Sequence, residues 1–352
     1  MAKPVRILIL GTGGMANNHA EAFAKIDGVS LVAGIDTRPE QLNAFCDKHA
    51  IPKRFSSITD ALAWGEFDAV TNVTPDAAHF ATTMPVLAAR KHILCEKPLA
   101  TNEADAGAMA DAAASAGVVN MVNLSYRNVA ALQQAAVMVR QGAIGTIRHM
   151  EASYLQSWLT QPAWGHWDRE SQWLWRLSTK HGSKGVLGDI GIHILDFATF
   201  VAGLPVDEIS CRLATFHKAP GDKIGDYVLD ANDSATMQVV LGNGALGTVS
   251  ATRFATGHLN DLRLRLYGDK GGLEVCWEKN VSTLRACLQP DMQTATWHAV
   301  DAPVLATIYQ RFIAAIRGEG VADPDFARGA ALQRMLDRAE QSAAQHGLSL
   351  NV

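Results

Sequence analysis

Cysteine is scarce and scattered: Cys46, Cys95, Cys211, Cys276 and Cys287 stand far apart and form no C-x-x-C pair. An odd, dispersed set supplies neither a disulfide framework nor a thiolate zinc site, and it suits a reducing compartment. Basic runs are missing too. With 31 Lys and Arg against 35 Asp and Glu the formal net charge is −4, and no cationic stripe is present to hold a polyanion or an anionic membrane. No stretch approaches the roughly 18 continuous apolar residues of a membrane span. The short apolar run ILIL stops at Gly11 without a small-residue cleavage pattern. Nucleic acid, membrane and metal are therefore set aside as partners, and a cytoplasmic protein is expected.

Apolar residues make up 48% of 352, enough for a large core and for two domains. From Val5 to about Val122, short apolar runs alternate with alanine-rich stretches of helical period. Strands are expected at 5–10, 31–36, 68–74, 92–97 and 118–122, with helices near 15–26, 39–49, 59–63, 76–90 and 102–116. Wholly apolar strands with helical crossovers make a parallel sheet covered on both faces, an α/β domain that collects ligands at the carboxyl ends of its strands.

The pattern changes after Asn123. A helix near 129–141 leads into a long strand at 147–157, a tryptophan-rich segment at 158–175 and a helix near 189–201. Strands follow at 207–217, 234–241, 245–254, 261–267 and 271–278, with Asn243-Gly244 as a hairpin turn. Helices near 303–317 and 327–346 close the chain. The expected division is 1–123 for the first domain and 124–352 for an α+β domain with a mainly antiparallel open sheet, its C-terminal helix free to pack back on the first.

Directly after the first strand stands Gly11-Thr12-Gly13-Gly14-Met15-Ala16, a G-x-G-x-x-A pattern. The first glycine permits the tight turn, the second lets a pyrophosphate approach the backbone at a helix N-terminus, and the alanine lets helix and strand pack closely. Asp36 ends the second strand, 20 residues beyond Ala16, where a carboxylate can accept the adenosine ribose hydroxyls. That carboxylate favours NAD over NADP. Arg38 could instead pair with the extra phosphate, which keeps NADP as the alternative.

Residues 92–98, HILCEKP, end a strand on a glutamate, a lysine and a proline. With Thr74-Pro75 and His79, and with GDIGIH (188–193) followed by Asp196, this chain resembles the glucose-fructose oxidoreductase and inositol dehydrogenase family, the Gfo/Idh/MocA group, over nearly its whole length. The resemblance implies an N-terminal Rossmann domain and a cis proline at Pro98. It implies cofactor contacts at the Gly11–Ala16 loop, Gly14 and Met15 included, at Asp36, Arg38, Thr74, Pro75, His79, Glu96, Lys97 and Asn123. It also implies that Lys97 reaches the substrate pocket, that Asp189 and His193 contact substrate, and that His193 is the acid/base.

Elementary chemistry agrees with those roles. Oxidising a secondary alcohol needs a hydride acceptor and a base, and a histidine titrating near neutrality suits the proton step. A lysine beside the same oxygen stabilises a developing alkoxide. On a regular helix Asp189 and His193 lie one turn apart on one face, and Gly188 and Gly191 leave room for a ring there. Tyr126 and Arg127 follow the fifth strand, while Tyr154, Gln156, Trp158, Trp175 and Arg176 supply aromatic and polar surface for a sugar ring. For any single tryptophan, core packing is the default.

The expected activity is an NAD-dependent dehydrogenase acting on a ring hydroxyl of a sugar, anhydrosugar or cyclitol, in a homo-oligomer, dimer or tetramer. Two alternatives stand beside it: a dinucleotide-binding regulator without turnover, and a glycosidase that oxidises and eliminates on tightly held NAD. The chain begins almost at the first strand, so no cofactor-trapping arm precedes it and a dissociable cofactor is expected.

Overall fold

The computed structural model describes residues 4–162 and 164–352. Two compact units emerge: the chain up to Ser125 together with Ala306–Gln333, and Tyr126–Leu305 together with Arg334–Val352. In the first, β1 (Val5–Leu10), β2 (Val29–Ile35), β3 (Lys53–Phe55), β4 (Ala69–Asn72), β5 (His92–Cys95) and β6 (Asn120–Val122) form one parallel sheet among the described residues, in the order β3-β2-β1-β4-β5-β6. Between the strands run α1 (Gly14–Phe23), α2 (Pro39–Lys48), α3 (Ile58–Trp64), α4 (His79–Ala88) and α5 (Glu103–Ala116). This is the doubly wound order in which strand direction of travel reverses beside β1, opening a crevice at the carboxyl edge. Burial on both faces explains the unbroken apolar run of β1, where Ile7, Leu8 and Ile9 are inaccessible to water. Local signals set the helix ends. Ser57 and Asn102 accept the N–H groups of Asp60 and Asp105, and Gly65 and Gly117 stop α3 and α5 in the left-handed region.

The second unit opens with α6 (Ala130–Arg140) and β7 (Ile147–Leu155). The short α7 (Ser171–Leu174) follows, then a π-helical turn at Leu187–Gly191 that runs into α8 (Ile192–Ala202). Next come β8 (Val206–Ala214), the small ribbon β9 (Lys223–Ile224) and β10 (Tyr227–Val228), β11 (Ser234–Leu241), β12 (Leu246–Thr252), β13 (Asp261–Gly268), β14 (Gly271–Glu278), β15 (Val281–Leu288) and β16 (His298–Val300). The chain ends with α9 (Ile308–Arg317), α10 (Phe326–Ala344) and β17 (Leu350–Asn351). Among the described residues this unit has a nine-stranded sheet ordered β16-β15-β14-β13-β7-β12-β11-β8-β17. It is antiparallel except between β7 and β12.

Three differences from the sequence expectation have physical causes. Strands β15 and β16 were not foreseen because the hairpin before β15 turns on Lys279-Asn280, both at positive φ, where a lysine hides the usual Asn-Gly signal. The helix expected from 189 begins instead as a π turn, which shifts the side-chain spacing away from 3.6 residues per turn. The first unit also reclaims a distant segment: Ile308, Phe312 and Ile313 of α9 pack into the core formed by Ile7, Ile9, Phe23 and Phe45.

Candidate functional site

In the first unit, β1 delivers the chain to Gly11, whose φ of 89° only glycine adopts freely. A Cβ there would lie 2.8 Å from the Val73 carbonyl, so the turn sits hard against the end of β4. Gly13 precedes α1 with no side-chain cap, and a Cβ on Gly14 would meet nothing within 4 Å. The helix start thus has no side-chain cap and no neighbour over Gly14, although Ala16 N–H already donates to Gly13 O at 3.1 Å, and an uncapped helix N-terminus is the arrangement that takes a phosphate. Asp36, just past β2, is drawn into this loop. Its Oδ2 accepts from Thr12 N at 3.0 Å and Thr12 Oγ1 at 2.8 Å, and its Oδ1 from Arg38 N and Nε, each at 3.0 Å. Burial works against the charge, but Arg38 and the Thr12 donors outweigh it and hold the carboxyl at about 2. An uncapped helix start, bare glycine edges and an ionised carboxylate after β2 fit a dinucleotide.

At the carboxyl end of β5 the polar residues knit inward. His19 of α1, wholly buried, sets Nδ1 2.7 Å from Thr71 Oγ1 and Nε2 2.8 Å from Glu96 Oε1. Asn123 Nδ2 donates to the same Glu96 oxygen at 2.6 Å, and Lys97 N donates to Glu96 Oε2 at 3.2 Å. Because the carboxylate only accepts, the His19 proton facing it belongs on Nε2. Burial opposes the charge on Glu96, yet His19, Asn123 and the nearby Lys97 bring its pKa down to about 2. Asn123 Oδ1 is buried and without a hydrogen-bond partner among the described residues. The Lys97–Pro98 peptide is cis. Neither His19 nor Thr71 was foreseen, although His19, three residues beyond Ala16 on the first helix, was a visible signal.

Thr74 and Pro75 follow β4, with Thr74 N and Oγ1 both donating to Asn72 Oδ1. His79, expected at the cofactor, turns its side chain into the fold. Its ring is fully buried, with Nδ1 2.7 Å from Pro98 O and Nε2 2.9 Å from Thr74 O. Glu96 likewise directs its carboxylate into the fold, not outward.

In the second unit, the π turn carries Asp189 and the first turn of α8 carries His193. Asp189 Oδ1 accepts from Arg176 Nη1 at 3.1 Å and Oδ2 from Arg253 Nη2 at 3.0 Å. Arg253, fully buried after β12, also donates to Arg176 O at 3.1 Å and lies over the Trp158 ring. It was missed because a single arginine after an unremarkable strand carries no motif. His193 is nearly buried, with the Tyr126 ring edge-on at 5.1 Å. From Tyr126 a chain of hydrogen bonds runs through Tyr154 OH at 2.5 Å to Asn260 Oδ1, which also receives Gln156 Nε2. Trp158 Nε1 closes it on Gln156 Oε1. Burial pushes the Tyr126 phenol up to about 12, so it stays a neutral donor.

The surroundings of several expected residues in this half are now visible. Gly188 and Gly191 do not open a ligand space: a Cβ at Gly188 would meet Lys184 Cβ at 2.3 Å, and one at Gly191 would meet Leu187 at 3.1 Å. Arg127 is buried in a bidentate pair with Asp196, at 2.6 and 2.8 Å, and its guanidinium covers Phe200 at 3.6 Å. Tyr154, Gln156 and Trp158 are buried among one another, and Trp158 belongs to the apolar cluster of Leu174, Leu177 and Leu229. Trp175, by contrast, is 38% exposed, with the Arg176 guanidinium 4.8 Å over its ring. Among the described residues no cluster of His, Cys, Asp or Glu is placed to hold a metal, and no helix is long and apolar enough to cross a membrane.

Two family models match in sequence. Residues 5–124 match the oxidoreductase family with an NAD-binding Rossmann fold, and residues 132–274 match the GFO/IDH/MocA C-terminal domain. A levoglucosan dehydrogenase of Pseudarthrobacter phenanthrenivorans is 30% identical over 220 residues, covering 58% of this chain and only 54% of that protein. A D-glucoside 3-dehydrogenase of Escherichia coli is 26% identical over 97% of this chain and 96% of its own. An oxidoreductase domain protein from Kribbella flavida superimposes with a TM-score of 0.87 at 30% identity, covering 100% of both chains.

The Glu96 knot makes a stability prediction with a definite sign. Glu96→Gln leaves His19 and Asn123 facing an amide without charge and should lower unfolding free energy at pH 7 by about 1.5–3 kcal/mol, the scale of hydrogen bonds to a charged group. Because the folded-state pKa is depressed, the carboxylate's contribution is complete above the ordinary glutamate value and is lost as pH falls toward about 2. Urea titrations of both proteins should therefore show a gap that is widest at pH 7 and narrows in acid. A gap independent of pH would show that Glu96 is not held ionised.

Proposed function

The chain belongs to the GFO/IDH/MocA oxidoreductase family, and from that premise we propose that it oxidises a ring secondary alcohol of an uncharged sugar, anhydrosugar or cyclitol, with NAD preferred to NADP. The observation that carries the substrate class is the state of the two arginines that could clamp a carboxylate. Arg127 is buried in a bidentate pair with Asp196, and Arg176 is engaged by Asp189. A hydroxy acid needs a guanidinium for its carboxylate, whereas a polyol needs acceptors, donors and an apolar face. Asp189, held between two guanidinium groups, offers a fixed anionic acceptor. Trp175 offers an exposed ring. The similarity to dehydrogenases named for levoglucosan and D-glucosides points the same way.

Bound on the first unit, NAD supplies the hydride acceptor. In our reading the chain's own groups do the rest. Lys97, its backbone fixed on Glu96, stabilises negative charge on the substrate oxygen. His193 accepts the hydroxyl proton, its ring backed by the Tyr126 edge. Asp189 accepts a neighbouring hydroxyl. The Asp36 carboxylate repels the additional phosphate of NADP, and Arg38 is already paired with it.

A substrate panel read by absorbance of reduced cofactor at alkaline pH tests the class. Uncharged pyranoses, anhydrosugars or inositols should reduce NAD, and lactate and malate should do so poorly. A hydroxy acid that outperforms every sugar and cyclitol would overturn the reading. With the best substrate, Lys97→Ala and His193→Ala should each lower kcat by roughly a hundredfold or more with cofactor binding retained. A His193→Ala protein with most of its turnover would remove His193 as the proton acceptor.

Cofactor choice is tested separately. The unaltered protein should show higher kcat/KM with NAD than with NADP, and Asp36→Ala should weaken or reverse that preference. An NADP preference in the unaltered protein would mean that Arg38 governs the pocket.

A further inference from the structure

We propose that His79 is a positioning residue that acts as a standing imidazolium, tying the carbonyl groups of Thr74 and Pro98 together and thereby fixing the backbone on which Lys97 stands. The ring has no exposure to water, and both of its nitrogens lie on backbone oxygens, Nδ1 2.7 Å from Pro98 O and Nε2 2.9 Å from Thr74 O. Carbonyl oxygens only accept. A neutral imidazole carries one N–H, so either tautomer would set a nitrogen lone pair against a carbonyl oxygen with no water to relieve it. The doubly protonated ring alone satisfies both.

The placement gives this bond pair its consequence. Thr74 lies just beyond β4 and Pro98 just beyond β5, and these strands are neighbours in the sheet. One ring at the start of α4 therefore joins the carboxyl ends of two neighbouring strands, β4 next to the switch point and β5 beyond it. Pro98 follows Lys97 directly, and Glu96 holds the Lys97 N–H on the other side. The lysine backbone is thus pinned from both sides, by a buried anion before it and a buried cation after it.

The titratable groups facing the ring are the Cys95 thiol at the end of β5 and Asp76 in the short turn before α4. Burial disfavours the proton, but Cys95, Asp76 and the Pro98 carbonyl together raise the pKa to about 10. A position in the first turn of α4 is unfavourable for a cation, yet that dipole effect is weaker than two charge-assisted hydrogen bonds. The sign follows: the folded-state pKa is raised, so the stabilisation is complete below the ordinary histidine value and is lost as pH rises through about 10.

The test has two arms. In nitrogen-15 spectra of the full-length protein at pH 8.5, with His79 assigned by correlation to its own backbone, both ring nitrogens should be protonated while an ordinary histidine is neutral. A single protonated nitrogen at that pH overturns the proposal, and this arm needs neither a substrate nor a variant. The kinetic arm rests on the dehydrogenase reading. His79→Gln, which keeps one neutral donor, should lower kcat on the order of tenfold to a hundredfold through misplacement of Lys97, with KM for NAD little changed. A folded His79→Gln protein with unchanged kcat would show that the ring does not position the lysine.

Discussion

A carboxylate with little access to water organises the first unit. Taking the Glu96 charge into the interior is costly, and the fold offsets that cost with donors from three separated parts of the chain, His19 on α1, Asn123 after β6 and the backbone of Lys97. Each donor must be delivered by a different element, so the geometry holds only when α1, β5 and β6 are all in place. Thr71 on β4 then orients His19 from behind. The backbone of Lys97 is thereby tied to the same carboxylate that the surrounding donors must satisfy.

The second unit solves a related problem with the opposite arrangement. Asp189 is an anion held by two cations, and one of them, Arg253, is wholly buried. Burial lowers the basicity of Arg253, and Asp189 offsets part of that loss. Neither charge is stable in that environment without the other. A carboxylate held from both oxygens has a fixed orientation and cannot easily swing to a new partner. The π turn under Asp189 belongs to the same design, because a regular helix would aim that side chain differently along α8.

Much of this was legible in the sequence, and the limits have physical causes. The glycine loop, Asp36 and the strand that ends in Glu96-Lys97-Pro98 could be read because backbone-level needs such as a tight turn or a strand terminus restrict residue type at fixed spacing. Side-chain direction could not be read that way. His79 and Glu96 stand at the expected edge of the sheet yet turn inward, and Arg127 stands after β6 yet closes on Asp196, 69 positions away. Nothing local in SYRN announces that partner. Arg253 and Asn260 were invisible for the same reason: their roles come from tertiary neighbours, Asp189 for one and Tyr154 with Gln156 for the other. The tryptophans divided by burial, Trp158 into the core and Trp175 toward solvent, a distinction that composition alone cannot make.

The distribution of cost between the two units bears on whether this protein turns over a substrate or only senses a dinucleotide. A sensor needs the glycine loop, Asp36 and the crevice of the first unit. It has no use for an anion fixed between two guanidinium groups on a π turn in the second, nor for a nearly buried histidine beside a neutral phenol. Buried charges of this kind destabilise a fold unless every partner is kept, and an apolar replacement of similar volume is usually no worse for stability. Their joint presence is most simply explained by chemistry that uses them. The same reasoning separates the two pairs of charges in this unit: Arg127–Asp196 is closed on itself, both groups almost without access to water, whereas Asp189 and Arg176 keep partial access beside an exposed tryptophan. The first pair holds α8 in place. The second pair is left in reach of solvent.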